Sequence, residues 1–201
     1  MPISPVTEDA VFLNIPYDKK FERPYLAYIV GLVQLGLEPR VTLGVPGGER
    51  RLDRILELIQ SCRYSIHDLS RVEVSRRTPR IPRFNMPFEL GLTVTWAKLN
   101  PTLHTWFVCE TQRYRVDRSL SDLGGTDPNI HDGTISGVMR ELCNAFVRRN
   151  GPRPSVPQMV KSYRIVARRK EAIMIDAGAD SLFEARVFED LVYAAKALIE
   201  P

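Results

Sequence analysis

Short apolar runs alternate with helical periodicities along the first 110 residues. Residues 10–16 (AVFLNIP) are typical of a buried strand that ends at Pro16, whereas in 18–37 apolar side chains recur at the three- and four-residue spacing of a helix. The same pattern predicts strands over 39–45, 63–69 and 103–109 and helices over 51–61 and 86–98. This alternation favours an α/β fold of the flavodoxin-like type, an open parallel sheet of four to five strands with flanking helices.

The second half of the chain departs from this alternation. A polar stretch over 113–131 is followed by predicted helices over 132–149, 155–175 and 182–199. We therefore predict an α/β domain over 1–150 and a helical C-terminal extension over 151–201 that packs on it. The apolar face of the last helix could cover the core or form a homo-oligomer, and we favour the first.

Composition narrows the class of protein. Hydrophobic residues make up 44% of the 201 residues and charged residues 26%, as in globular proteins. No apolar run approaches the roughly 18 residues of a membrane span, and residues 1–15 contain no Lys or Arg, unlike a secretory signal. The three cysteines are far apart in apolar stretches, as expected of reduced thiols. We expect a cytoplasmic protein without membrane contact.

Positive charge is concentrated in two segments. Five Arg against one Glu give +4 over 71–83, and eight basic residues with no acidic one give +8 over 148–170. Arginine pairs well with phosphate, which favours an anionic ligand, although a solvated surface or internal ion pairs would also explain the pattern. The second segment holds one aromatic residue, Tyr163, and no nucleic-acid-binding motif, which argues against nucleic acid as the partner.

Glu89 is the candidate catalytic residue. In open parallel sheets, ligands bind at the carboxyl ends of the strands, and the start of the helix over 86–98 should point into that crevice. A carboxylate here could serve only the helix dipole. However, Met86 stands where a capping box requires Ser or Thr, and Phe88 and Leu90 are unusual neighbours for a solvated charge.

Two segments resemble TIR domains. Residues 46–70 (PGGERRLDRILELIQSCRYSIHDLS) are similar to their second-strand loop, helix and third strand. Residues 85–92 (NMPFELGL) lie where NAD-cleaving TIR domains carry their catalytic glutamate. The Glu-Leu-Gly of this segment, together with Ile15-Pro16-Tyr17 after the first strand, also resembles nucleoside 2-deoxyribosyltransferases. The resemblance covers about residues 10–110.

This resemblance implies an enzyme that cleaves or transfers the N-glycosidic bond of a nucleotide or NAD-type substrate, with Glu89 at the anomeric carbon. Glu89 must then be ionised, and Arg71 or Arg83 nearby would favour its charged form. The resemblance implies no cofactor, since NAD or a nucleotide would be the substrate. The alternative is a catalytically silent TIR-like module that senses nucleotides or self-associates.

Other polar and aromatic residues near the strand ends complete the predicted site. We expect the substrate to contact Asn14, Pro16, Tyr17, Asp68, Ser70, Arg71, Arg83 and Asn85. Because side chains alternate along a strand, His67 and Asp68 should point to opposite faces of the sheet. The polar segment after the fourth strand is predicted to be a lid carrying Asp122, Asp127 and His131. The spacing of the Asp and His residues in this segment matches no known metal-ligand pattern, so we predict no metal site.

Overall fold

A five-stranded parallel sheet with the order β2-β1-β3-β4-β5 forms the centre of the protein. The computed structural model describes residues 5–44, 50–72 and 84–199. The strands are β1 (Thr7–Asn14), β2 (Glu38–Arg40), β3 (Cys62–Asp68), β4 (Thr105–Glu110) and β5 (Asn129–Ile130). The helices are α1 (Glu22–Gln34), α2 (Arg51–Ser61), α3 (Asn85–Leu99), α4 (Arg115–Ser119), α5 (Ile135–Ala145), α6 (Val156–Ala177) and α7 (Ala185–Lys196). The predicted flavodoxin-like α/β fold is confirmed.

The main differences from the sequence prediction are short elements. The helix predicted over 18–37 begins with a 3₁₀ turn, Lys19–Phe21, before α1. The polar stretch over 113–131 contains α4 and β5, which are too short to produce a detectable periodicity. The Arg-rich segment lies largely outside the described residues, since 73–83 are not among them.

The sheet has a different hydrophobic core on each face. On one face, Val11 and Leu13 of β1 pack in a cluster with residues of α1 and α5. On the other, Phe12 packs with Ile55 and Ile59 of α2. Strand alternation produces this division, and Asn14 therefore follows Phe12 onto the face covered by α2 and α3.

The helices after residue 150 lie on α1. Met159 and Val166 of α6 and Leu191 of α7 are fully buried in the cluster that also contains Leu26 and Tyr28 of α1. The apolar face of α7 therefore covers the core within this chain. Within the described ranges, no helix combines the length and the apolar composition needed to cross a bilayer.

Two basic residues of the 148–170 segment are engaged in internal ion pairs. Arg149 pairs with Asp9, and its guanidinium also donates to the carbonyl oxygen of Leu35 at 2.9 Å. The ammonium of Lys170 lies 3.4 Å from a carboxylate oxygen of Glu22. Part of the positive charge of this segment therefore forms ion pairs with residues of the first half of the chain.

Gly137 in the first turn of α5 has no room for a side chain. A Cβ there would lie 1.9 Å from the carbonyl oxygen of His131, a backbone atom that cannot rotate away. We expect Gly137→Ala to lower the free energy of unfolding by about 2 kcal/mol. Gly91 of α3 is the matched control, because a Cβ there meets nothing within 4 Å. Gly91→Ala should stabilise the helix by about 0.5–1 kcal/mol, and urea unfolding measures both variants. Equal effects would contradict the packing argument.

Candidate functional site

A cavity of about 270 Å³ lies at the carboxyl ends of the first strands, where the strand order reverses. Its lining residues come from the end of β1, the segments after β2 and β3, the first turn of α2 and the first two turns of α3. They are Leu13, Asn14, Ile15, Pro16, Tyr17, Thr42, Arg51, Arg71, Asn85, Met86 and Glu89. The cavity thus collects Glu89 and five of the predicted substrate contacts, which are Asn14, Pro16, Tyr17, Arg71 and Asn85.

Glu89 lies in the second turn of α3 and is only 6% exposed. Among the described residues, no hydrogen bond or ion pair reaches its carboxylate. Burial raises the pKa of Glu89 to about 7, and the positive charge of Arg51 opposes this rise. The carboxyl group therefore exchanges its proton near neutral pH, and a pKa shifted in this direction is common among catalytic carboxyl groups.

Arg51 is the cation that acts on Glu89, and the sequence analysis did not identify it. Arg51 is the first residue of α2, and its guanidinium lies 3.4 Å from the hydroxyl of Thr42. A cation at a helix N-terminus opposes the helix dipole. This unfavourable placement was the sequence signal that could have marked Arg51 as a functional residue.

Arg71, the predicted partner of Glu89, lines the same cavity, but its Nε donates to Asp18 at 3.1 Å. The other predicted cation, Arg83, lies outside the described residues. Among the described residues that line the cavity, Arg51 and Arg71 carry guanidinium groups. These groups are the candidates for binding a phosphate.

Tyr17 forms an aromatic wall of the cavity. Its ring packs against Tyr25 of α1 and against Phe183, with ring centroids 6.3 and 5.7 Å apart. The Tyr17 hydroxyl is buried beside Thr42, yet it meets no partner at hydrogen-bond geometry among the described residues. Burial raises the pKa of Tyr17 to about 12, so the hydroxyl stays protonated.

Asn14 and Asn85 bring amide groups to the cavity. Asn14 is the last residue of β1 and is buried, whereas Asn85 is the first residue of α3 and is exposed. The Asn14 Nδ2 donates to Nδ1 of His67 at 2.9 Å and to the carbonyl oxygen of Met86 at 3.2 Å. Asn14 is thus held rigidly between the sheet and the start of α3.

Asp68 and Ser70 do not line the cavity. Asp68 is fully buried on the opposite face of the sheet, where its carboxylate accepts from the hydroxyl of Tyr28 at 2.8 Å and from the amide of Ser70 at 2.9 Å. His131 Nε2 lies 2.9 Å from the same carboxylate. Strand alternation is the reason, since it turns His67 toward Asn14 and Asp68 toward α1.

The predicted lid also lies elsewhere. His131 is buried against Asp68, and Asp127 lines a separate cavity of about 630 Å³ with Tyr114 and Arg140. Neither His131 nor Asp122 or Asp127 lines the Glu89 cavity. The strand order is the reason, because β4 and β5 occupy the edge of the sheet opposite β2. The described residues contain no cluster of three or more His, Cys, Asp or Glu able to hold a metal ion.

No model of a protein family matches the chain, and no curated protein matches it either.

Proposed function

We propose that the protein cleaves or transfers the N-glycosidic bond of a nucleotide or NAD-type substrate, with Glu89 as the carboxylate at the anomeric carbon. The observation that carries this proposal is a buried glutamate without a hydrogen-bond partner among the described residues, in a cavity at the switch point of a parallel sheet. The resemblance of residues 85–92 to the glutamate segment of TIR domains and deoxyribosyltransferases supports the same assignment.

The proposed reaction needs an ionised Glu89. As the bond between the sugar C1 and the base nitrogen breaks, its electron pair leaves with the base and positive charge develops on the sugar. The Glu89 carboxylate stabilises this charge or forms an ester with C1. Nicotinamide leaves as a neutral molecule, whereas a nucleobase takes up a proton from solvent. Water or another acceptor then attacks C1 and releases its proton to solvent, and the carboxylate is regenerated. Because burial raises the pKa of Glu89 to about 7, the fraction of active enzyme should increase from acidic to slightly alkaline pH.

The remaining lining residues suit a nucleotide. The guanidinium groups of Arg51 and Arg71 can bind a phosphate, and the Tyr17 ring offers a flat apolar surface for a base or sugar. The volume of about 270 Å³ is close to the lower end of ligand cavities, roughly 300 Å³, which favours the nucleoside portion as the part enclosed.

The test is incubation with NAD and with nucleoside monophosphates, followed by chromatography of released nicotinamide or base. We expect release by the wild type and a loss of about a thousandfold or more in Glu89→Gln, which keeps the shape of the side chain but removes the nucleophile. The control is Glu110→Gln, an equally buried glutamate whose carboxylate accepts from the backbone amide and the hydroxyl of Thr111 at 2.6 and 3.0 Å.

Two outcomes would contradict the proposal. If Glu89→Gln releases base as fast as the wild type, Glu89 is not the catalytic group. If no substrate is turned over but nucleotides raise the melting temperature of the wild type, the silent nucleotide-sensing module is correct instead.

A further inference from the structure

A row of buried polar side chains runs across the face of the sheet covered by α2 and α3, and the proposed reaction does not use it. His67 Nε2 lies 3.1 Å from the hydroxyl of Ser65, which lies 2.9 Å from Nε2 of His104. His104 Nδ1 in turn lies 2.8 Å from the carbonyl oxygen of Cys62. With Asn14 on Nδ1 of His67, these residues form a continuous relay. Each of the four side chains is at most 3% exposed.

Both ends of this relay are backbone carbonyl oxygens, which can only accept hydrogen bonds. At one end the carbonyl of Cys62 requires a proton on His104 Nδ1, so Nε2 of a neutral His104 accepts from the Ser65 hydroxyl. Ser65 then accepts from Nε2 of His67. This leaves Nδ1 of His67 as an acceptor for Asn14.

The end of the relay at Met86 requires the same donor-to-acceptor direction of the hydrogen bonds. The carbonyl of Met86 must also receive a proton from Asn14, which only the amide nitrogen can supply. If the amide were turned over, its oxygen would face the Met86 carbonyl oxygen at 3.2 Å without a proton between them. The two ends therefore agree on one orientation of every group in the relay.

The protonation of the histidines is consistent with this direction. Burial, together with His104, lowers the pKa of His67 to about 3. Burial likewise lowers the pKa of His104. Both rings are therefore neutral at physiological pH, each with one donor and one acceptor nitrogen.

The relay determines which atoms Asn14 presents to the cavity. Both hydrogens of its amide nitrogen are used, one by His67 and one by Met86. What Asn14 can offer to a ligand in the cavity is therefore its acceptor oxygen alone. Met86, which holds the amide, lies one helical turn before Glu89, so this acceptor lies close to the proposed anomeric carbon.

We infer that the relay fixes Asn14 as an acceptor for a sugar hydroxyl of the substrate, which makes Ser65, His67 and His104 positioning residues that select ribosyl over deoxyribosyl ligands. The identity of the donor as a sugar hydroxyl rests on the proposed function. The direction of the relay does not, because it follows from the hydrogen bonds alone.

The first test measures the direction of the relay in the free protein. The chain has only three histidines, so ¹⁵N NMR of labelled protein resolves each ring. Near neutral pH we expect neutral His104 with its proton on Nδ1 and neutral His67 with its proton on Nε2. The opposite tautomers, or a charged ring at either position, would overturn the inference whether or not the protein turns over any substrate.

The second test measures the selection of the sugar. Binding of adenosine monophosphate and of its 2′-deoxy and 3′-deoxy counterparts is measured by calorimetry in the Glu89→Gln background, so that no ligand is consumed. We expect removal of one of the two hydroxyls to weaken binding about tenfold. Adding Ser65→Ala should reduce that ratio, because His67 Nε2 then loses its acceptor and the amide of Asn14 is held by the Met86 carbonyl alone.

The matched control is Ser61→Ala, another buried serine that lies outside the relay. Ser61→Ala should leave the tenfold ratio of affinities unchanged. If the removal of any buried serine lowered the ratio, Ser61→Ala would lower it too. Equal affinity for all three nucleotides, or binding of none, would overturn the assignment of Asn14. Selective binding without turnover by the wild type would support it while refuting the proposed enzymatic function.

Discussion

Glu89→Gln should make the protein more stable at about pH 8 while it abolishes base release. The pKa of Glu89 is raised from 4.5 to about 7 by burial, so the unfolded chain loses this proton at lower pH than the folded protein does. Between these two values the folded protein binds more protons, and its free energy of unfolding decreases as the pH rises. At about pH 8 the ionised carboxylate costs about 3 kcal/mol, which the neutral amide avoids.

Urea unfolding at about pH 5 and pH 8 measures this effect. The wild type and Glu89→Gln should differ little at the lower pH and by about 3 kcal/mol at the higher pH. Glu110→Gln is again the control, since its carboxylate accepts two hydrogen bonds from Thr111, and removal of that charge should destabilise the protein at both pH values. A Glu89→Gln variant that is less stable than the wild type at the higher pH would show that the carboxylate is structural.

Asp68→Ala should lower the free energy of unfolding by about 4 kcal/mol, the largest loss of stability that we expect from a polar residue. The substitution leaves the Tyr28 hydroxyl and the Ser70 amide buried without their acceptor, and it removes the carboxylate that lies 2.9 Å from His131 Nε2. Because strand β3, helix α1 and the segment after β5 meet at this carboxylate, the loss affects the whole fold.

Denaturant unfolding of Asp68→Ala and Asp68→Asn measures this contribution. The asparagine retains an acceptor for the Ser70 amide but not for the Tyr28 hydroxyl, so its loss should be smaller. A loss below about 1 kcal/mol for Asp68→Ala would contradict the proposed network. If the folded Asp68→Ala variant instead binds nucleotides more weakly than the wild type, Asp68 contacts the substrate, as the sequence analysis predicted.

The fold could be predicted because its longer elements are strongly patterned. The apolar run of β1 and the spacing in α1 identify one strand and one helix without reference to the rest of the chain. The two residues of β5 carry no such pattern, and their place at the sheet edge depends on pairing with Cys109 and Glu110 of β4. Pairing between distant segments is a tertiary property that periodicity does not encode.

The lining of the candidate cavity could be predicted where it depends on topology alone. Glu89, Asn14 and Tyr17 follow strand ends or begin a helix, and every parallel sheet brings such positions to one edge. Asp68 also lies at a strand end. The face of the sheet to which its side chain points depends on the pleat and on the positions of Tyr28 and His131, which contact its carboxylate. Arg51 was not predicted because its contribution depends on the reach of a long side chain across the cavity.

The contact between Tyr17 and Phe183 has a consequence for protein engineering. Phe183 belongs to the connection between α6 and α7, so the aromatic surface beside Glu89 is buttressed by the part of the chain after residue 150. A graft of residues 1–150 alone onto another scaffold would carry Glu89 but not Phe183, which packs against Tyr17. Transfer of the complete cavity wall therefore requires the residues after 150 as well.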